Sequence, residues 1–553
     1  MTRRRLFVAA TITVAVIGVA GAGAWVVIGQ RGATPTVALA PPRYVDETAT
    51  AGVDHTFGGP NRTLVGVGGG VAAFDCDDDG LPDLYLAGGP SAAALYRNTS
   101  RPGAALGFTI VPDAVSAETG VMGAYPLDID GDGHVDLAVL RDDGATLLRG
   151  VGDCGFESGD DRWSFAATAD WTTAFSATWE GSAALPTLAF GKYVETDAAG
   201  STYMCPPNEL FRPDTAGSGY GPATELAPGF CSLSMLFSDW DGSGRRDLRV
   251  SNDRQYYPAD VGQEQLWRVA PGEEPRLYTA DDGWVTMQIW GMGIASYDLT
   301  GDRYPEVYLT SQGPNKLQTL LTGPEVPTYR DIAIKHGVIA TRPSAGGDPL
   351  PSTAWHPEFR DVNNDGFIDL FVSKGNVGQQ LEYAAVDPSD LFMGNPDGTF
   401  TYAAEQAGIF DAERGRGAAL ADFNADGLLD LVQVDLDAPV RLWRNVGAGT
   451  ADEPVAMGRW LGLAVRQPGP NRDAIGALLE VRVGEALQRR ELTVGGGHTG
   501  GQLGWTHFGL GPASRADVRV TWPDGEVGAW IAIDADQFAT ITRGSDQIEP
   551  WAP

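Results

Sequence analysis

The sequence predicts an all-β chain: a seven-bladed β-propeller followed by a small β-rich domain. Two observations carry that prediction. The 553 residues include 73 glycines and 36 prolines, a composition that suits many short strands and turns rather than helices. An acidic motif also returns at near-regular spacing, and each copy runs straight into an apolar strand. Hydrophobic residues make up 43% of the chain, enough to bury a large core, so global disorder is excluded.

The motif first reads Asp75-Cys-Asp77-Asp-Asp79-Gly80-Leu81-Pro-Asp83 and returns as Asp128-Ile-Asp130-Gly-Asp132-Gly133-His134-Val-Asp136. The next copies are Asp239-Trp-Asp241-Gly-Ser243-Gly244-Arg245-Arg-Asp247 and Asp298-Leu-Thr300-Gly-Asp302-Arg303-Tyr304-Pro-Glu306. The last two are Asp361-Val-Asn363-Asn-Asp365-Gly366-Phe367-Ile-Asp369 and Asp422-Phe-Asn424-Ala-Asp426-Gly427-Leu428-Leu-Asp430. The gap from Asp128 to Asp239 is about twice the others, so a degenerate copy belongs between them. Trp179 to Phe190 fits, its Leu185-Pro186-Thr187-Leu188 matching Leu81 to Leu84 but without the oxygen ligands. The starts at 75, 128, 179, 239, 298, 361 and 422 are then 51 to 63 residues apart, the length of a four-stranded blade.

Oxygens at positions 1, 3 and 5 of a tight loop converge on one point. The carbonyl at position 7 adds another, and glycine at position 6 permits the turn. Several hard carboxylates select calcium over softer metals. An EF-hand would need helices and a closing glutamate at position 12, where this chain has Leu86, Val139, Val250, Leu309, Val372 and Gln433. The closing acid here is at position 9, ahead of a strand, so the motif reads as a calcium loop inside a β-hairpin. Up to six calcium ions are expected, on the residues numbered in the six copies above. The loops at Asp75 and Asp128 have the fullest ligand sets. The loop at Asp298 has the poorest, because Arg303 replaces the turn glycine and Glu306 the closing aspartate.

The repeat resembles FG-GAP/VCBS repeats, the blade units of integrin-α-like propellers. Further matches are Leu95-Tyr96-Arg97-Asn98, Leu391 to Asn395 and Leu442-Trp443-Arg444-Asn445, and an aromatic-to-glycine element at Tyr44–Gly52, Tyr329–Gly337 and Phe400–Gly408. The resemblance implies that the metal loops lie opposite the usual partner-binding face. Beyond the repeats, strand-like alternation at Trp460–Val465, Leu478–Val483 and Val518–Trp522 accompanies Asn471, Ile475-Gly476-Ala477, Phe508-Gly509-Leu510-Gly511 and Trp522-Pro523-Asp524-Gly525. These residues resemble the ASPIC/UnbV domain of the cartilage acidic protein family and its bacterial relatives, without that family's Cys-rich module. The expected domains are an export segment with linker over 1–42, the propeller over 43–450, the ASPIC/UnbV domain over 455–545 and a tail over 546–553.

Arg3, Arg4 and Arg5 precede an uncharged run from Leu6 to Gln30. Ala22-Gly23-Ala24 could end a cleaved signal peptide, whereas Trp25 to Ile28 continue the run into an uncleaved membrane anchor. Thr2 to Phe7 also resembles a twin-arginine export signal. Each reading puts the rest of the chain outside the cytoplasm, secreted or anchored at the membrane by its N-terminus. The absence of a cysteine just after the run excludes a lipoprotein anchor there. Cys76, Cys154, Cys205 and Cys231 lack metal-site spacing and suit disulfides in an oxidising compartment, with free buried thiols as the alternative. Of three pairings, Cys205–Cys231 is favoured because the two bracket one Pro/Gly-rich insertion, which leaves Cys76 with Cys154.

A formal charge of −33 excludes nucleic acid as a partner. No zinc-type histidine pair, nucleophile elbow or phosphate-binding lysine loop occurs. Gly66 to Gly70 suits close strand approach, and Gly495-Gly496-Gly497-His498 suits a turn. Trp171, Tyr256, Tyr257, Trp284 and Trp355 could form a docking or sugar-stacking surface, or pack in the blades. Two functions stay open. One is a non-enzymatic adhesion or recognition module for a surface protein or glycan. The other is a polysaccharide lyase or hydrolase, which requires unpaired carboxylates or an Arg/His/Tyr cluster in the axial pocket. The sequence leaves the oligomeric state open.

Overall fold

The computed structural model describes residues 38–553 apart from 59–65, 113–114, 197–202, 379, 451–452 and 546. The N-terminal export segment lies outside the described residues. Among those described, no helix is long and apolar enough to cross a membrane.

Each of the seven repeat starts sits between the first two strands of a four-stranded antiparallel sheet. The first sheet shows the pattern: Val71–Phe74, the loop at Asp75, then Asp83–Leu86, Ala94–Asn98 and Phe108–Val111. The degenerate copy obeys it too, joining Thr172–Thr178 to Thr187–Lys192. The opening strands follow one another around a ring. Val121–Leu127 lies beside Val71–Phe74, and the last, Gly415–Ala421, returns to the first. This is a β-propeller. Every opening strand is buried on both faces, except for half-buried Ser296, Arg360 and Ala421, because neighbouring sheets cover it.

Ring closure uses the chain start. Tyr44–Asp46 pairs antiparallel with Arg441–Asn445 and supplies the fourth strand of the last sheet. The signal was in the sequence, because Tyr44–Gly52 matches the elements at Tyr329 and Phe400 that end two other sheets. In those two, the strand passes into a single helical turn that Gly337 and Gly408 end at φ +81 and +83.

Two further four-stranded sheets follow. One orders Thr506–Gly511, Arg459–Arg466, Gln537–Thr542 and Ile548–Trp551. The other orders Ala486–Glu491, Leu478–Val483, Arg515–Thr521 and Ile531–Asp534. They share one core, with Leu461, Leu463, Phe508 and Ile541 from the first sheet packed with Leu479, Val481, Val518 and Ile533 from the second. Alternation places those residues inward.

Both expected disulfides form, Cys76–Cys154 and Cys205–Cys231. The first ties position 2 of the Asp75 loop to the neighbouring sheet.

Residues 493–504 correct the expectation of a simple turn. This segment leaves the C-terminal domain and enters the propeller axis, bridging Ala73, Ala124, Ala177, Leu236 and Ile294 on five successive opening strands. His498 stacks against Trp355, and Tyr125 donates its hydroxyl to Gly496 O. Gly70 and Gly123 explain how the tip fits, since a Cβ at either would overlap the Thr499 carbonyl.

Candidate metal centre

The six intact loops share one local geometry. The position-6 N–H donates to the position-1 carboxylate at 2.7–3.1 Å. The position-7 N–H donates to the position-5 side chain at 2.8–3.3 Å. Position 6 lies at φ +83 to +97 in all six, so Arg303 holds by strain a turn that glycine makes freely elsewhere.

The position-9 acid has a second role. Asp83 accepts from Cys76 N–H and from Asn98 N–H on the third strand, both at 2.7 Å. Asp136, Asp369 and Asp430 repeat this with Gly150, Gly394 and Asn445. The third-strand asparagine then reaches the next loop, Asn98 to Phe423 O and Asn445 to Val362 O. Adjacent loops are thus wired together.

In the first two loops the carboxylates converge. One oxygen each from Asp75, Asp77 and Asp83 lies within 4.8 Å of the others, as does one each from Asp128, Asp130 and Asp136. Asp77 Oδ1, Asp128 Oδ1, Asp130 Oδ1 and Asn424 Oδ1 are buried without a hydrogen-bond partner. Arg97 touches Asp77 Oδ2, and Arg149 bridges Asp130 Oδ2 and Asp132 Oδ2, with Arg162 also on Asp130. Guanidinium groups thus rim these loops while Asp77 Oδ1, Asp128 Oδ1 and Asp130 Oδ1 stay unpartnered. Burial pushes Asp75 and Asp128 up to about 6, Asp422 to about 7 and Asp83 to about 8. It also lifts Asp136, Asp361, Asp369 and Asp430 well above the carboxylate range, neighbouring acids adding to the effect. Hard oxygens, crowded and dry, fit a divalent cation. In the loop at Asp361 the Leu39 N–H and the Asn363 amide instead occupy Asp365 Oδ2.

The other two loops differ. The Arg245 guanidinium spans the loop at Asp239, with Nε 2.8 Å from Asp247 Oδ1 and an Nη 3.2 Å from Asp241. Trp240 Nε1 and the Tyr278 hydroxyl also donate to Asp247. In the loop at Asp298, Arg489 of the C-terminal domain sits 2.8 Å from Asp298 Oδ2. Glu306 there is filled by Leu299 N–H, Thr300 N–H and the Thr300 and Thr319 hydroxyls. One orphaned oxygen remains in each, Asp239 Oδ1 and Asp298 Oδ1, beside a built-in cation. The sequence ranking missed Arg245 because it counted that residue only as a carbonyl ligand. It missed Arg489 because nothing local links residues 191 positions apart.

The C-terminal domain touches every intact loop. Trp505 Nε1 donates to Gly80 O, Arg472 to Gly133 O and Gly511 N–H to Asn364 O. Glu491 accepts from Asp239 N–H, Arg489 pairs with Asp298, and Trp460 packs on Gly427. A cavity of about 840 Å³ remains between this domain and the propeller. Four of its acids, Glu358, Glu480, Asp473 and Glu491, each face an arginine, and Asp239, Asp298 and Asp422 of the loops line it too. Of the five aromatic docking candidates, Trp171, Tyr257, Trp284 and Trp355 are core residues, and Tyr256 alone is half-buried.

Family models match an FG-GAP-like repeat at 75–139 and 361–433, and ASPIC and UnbV at 467–548. The chain carries FG-GAP-like repeats and an ASPIC/UnbV domain. The FG-GAP matches cover the loops at Asp75, Asp128, Asp361 and Asp422 and omit those at Asp239 and Asp298. Cartilage acidic protein 1 of Mus musculus is 30% identical over 237 residues, 39% of this chain and 33% of that protein. Its Homo sapiens counterpart is 49% identical over 95 residues, 15% of this chain and 14% of that protein. The chain thus aligns with about a third of the mouse relative's length. Among solved structures, the extracellular domain of a hybrid two-component system protein from B. thetaiotaomicron covers 91% of this chain and 59% of its own. It has a TM-score of 0.40 and 8% identity.

Proposed function

We propose that the chain is an exported recognition module, a propeller braced by calcium that binds a surface protein or glycan without turning it over. Calcium would be held by the loops at Asp75, Asp128, Asp361 and Asp422, neutralising carboxylates that otherwise repel one another. The two disulfides and the cartilage acidic protein relatives support placement outside the cytoplasm.

The observation that carries the non-enzymatic reading is the filled axis. An axial active site needs a reachable pocket, and here His498, Tyr125 and Arg416 are buried around residues 493–504. In the interdomain cavity Glu358, Glu480, Asp473 and Glu491 are paired with arginines, and the remaining acids, Asp239, Asp298 and Asp422, belong to the metal loops. The cavity also holds Tyr297, His356, Arg360, Arg490 and His507, the grouping an enzyme would use. With the loop face covered, binding falls to the opposite face. The connections after Lys192, Asn252 and Lys374 there expose Tyr203, Met204, Val261 and Leu381.

The test is an array of glycans and surface proteins probed with and without calcium, followed by mass analysis of any polysaccharide bound. Calcium-dependent retention of intact ligand supports the proposal. Depolymerisation that one point mutation abolishes would make the protein an enzyme.

A further inference from the structure

At the end of the sixth sheet away from its metal loop, Lys374 closes the strand Asp369–Lys374 and Asp390 opens Asp390–Gly394. These strands pair through Val372 and Asp390. The Lys374 Nζ lies 3.1 Å from Asp390 Oδ2 and 3.1 Å from Asp387 Oδ1, and all three side chains are buried to within 1%. The two acids are held differently. Asp387 accepts the Ser352 hydroxyl and the Thr353 N–H, each at 2.6 Å, one on each oxygen. Asp390 meets Lys374 as an ion pair, and its oxygens take no hydrogen bond of the kind that fixes Asp387.

We propose that Lys374 and Asp390 become joined by an intramolecular amide bond, with Asp387 as the proton acceptor. The ammonium passes one proton to the Asp387 carboxylate. The resulting amine attacks Cγ of the protonated Asp390 side chain, a C–N bond forms and the C–OH bond breaks. The hydroxyl leaves with a second lysine proton as water. One ammonium, one carboxylic acid and one carboxylate thus become an amide, a water and a carboxylic acid. Charge balances at zero and no oxidant is needed.

The surroundings favour each part. Burial pushes the Asp390 carboxyl up, toward the protonated form that amide formation requires. Burial pulls Lys374 down and the two carboxylates hold it up. Once Asp390 is protonated only Asp387 opposes burial, and that carboxylate is the base in contact. Excluding water also favours condensation over hydrolysis.

The third sheet holds a natural control. Lys192 ends the equivalent strand, equally buried, and faces one acid, Glu209, at 2.8 Å. Its other partners are the Thr172 hydroxyl and Thr168 O. With no second carboxylate in ion-pair contact, Asp170 acting on it only from farther away, Lys192 stays unjoined.

The experiment is the intact mass of the purified, denatured and reduced chain. A value lower than the sequence mass by one water, and a branched peptide joining Lys374 to Asp390, are expected. Asp387→Asn keeps both reacting groups and should restore the full mass. Full mass in the wild-type chain overturns the proposal, and this arm needs no variant to fold. A bond that persists in Asp387→Asn removes Asp387 from the chemistry. A branched peptide at Lys192 would show that contact alone suffices, and the argument from three groups would fail.

Discussion

At the scale of single residues, the loops assign different work to acids that look alike in sequence. Asp77 has one oxygen turned inward without a partner, whereas Asp302 spends Oδ1 on Tyr304 N–H in a loop whose closing glutamate is saturated. Asp77→Ala should therefore remove one bound calcium and lower the calcium-saturated melting temperature, and Asp302→Ala should do neither. Elemental analysis of the dialysed protein and thermal melts separate the two. Glycines at the axis make the second case. Gly123 faces the Thr499 carbonyl, backbone against backbone, so a methyl there cannot be absorbed by a rotamer change. Gly123→Ala should cost about 1–3 kcal/mol by overpacking and expose residues 493–504 to protease. Unchanged cleavage of that segment would mean that the axis has slack. Gly70 was legible as a close-approach residue, but what approaches it comes from more than 400 positions away, beyond the reach of any local pattern.

At the scale of elements, the repeat was the legible feature. Aspartate at position 1 and an acid at position 9 (aspartate in five copies, Glu306 in the other), with a strand behind, located all six intact hairpins, and spacing located the degenerate seventh. Which loops keep their ligand oxygens free was not legible, because that depends on side chains arriving from elsewhere. Arg245 bridges positions 3 and 9 of the fourth sheet's loop, Arg489 holds position 1 of the fifth's, and the third has lost its ligands, whereas Arg97 and Arg149 reach only positions 3 and 5 of the first two. The four remaining loops, in the sixth, seventh, first and second sheets, form one continuous arc of the ring. Titration with calcium should saturate at four ions, and six would show that the guanidinium groups yield to metal. A pH dependence follows from the same loops. Without metal, Asp75, Asp128, Asp422 and Asp83 have folded values of about 6, 6, 7 and 8 against an ordinary 3.8. At these groups the folded chain then binds more protons than the unfolded one, so their contribution to metal-free stability is fully present below about pH 4 and is lost as pH rises toward about 8. Under the proposed calcium binding, the ion would hold these groups ionised and remove that loss. The gap between melting temperatures in calcium and in EDTA should therefore widen steadily from about pH 5 to about pH 8, and a constant gap would sever the loops from metal binding.

At the scale of the whole molecule, the C-terminal domain rests on all the intact loops and sends a segment down the axis, so the metal face and the domain interface are one surface. Strand alternation made the domain's own sheets legible. Its placement was not, because the contacts are isolated polar pairs such as Trp505 to Gly80 O and His507 to Asn364, which leave no period in the sequence. This arrangement couples metal to docking. At about 1 mM calcium and a Kd near 0.1 mM, each site contributes about 1.4 kcal/mol, and four together about 6 kcal/mol, comparable to the whole stability of many domains. Chelation should consequently lower the melting temperature by many degrees and loosen more than the hairpins. The carbonyls of Gly80, Gly133 and Asn364 are set by loop geometry, and each accepts a hydrogen bond from the C-terminal domain. When the ions leave and the carboxylates repel, those acceptors move and the domain loses its footing. Hydrogen exchange in EDTA should then accelerate together at residues 75–83, 128–136, 361–369 and 422–430 and at the facing residues 505–511. The Leu478–Val483 strand, inside the domain's own core, should keep its protection. Exchange that rises in the loops while 505–511 stays protected would show that the domain docks independently of the metal, and the calcium brace would then act on the propeller alone.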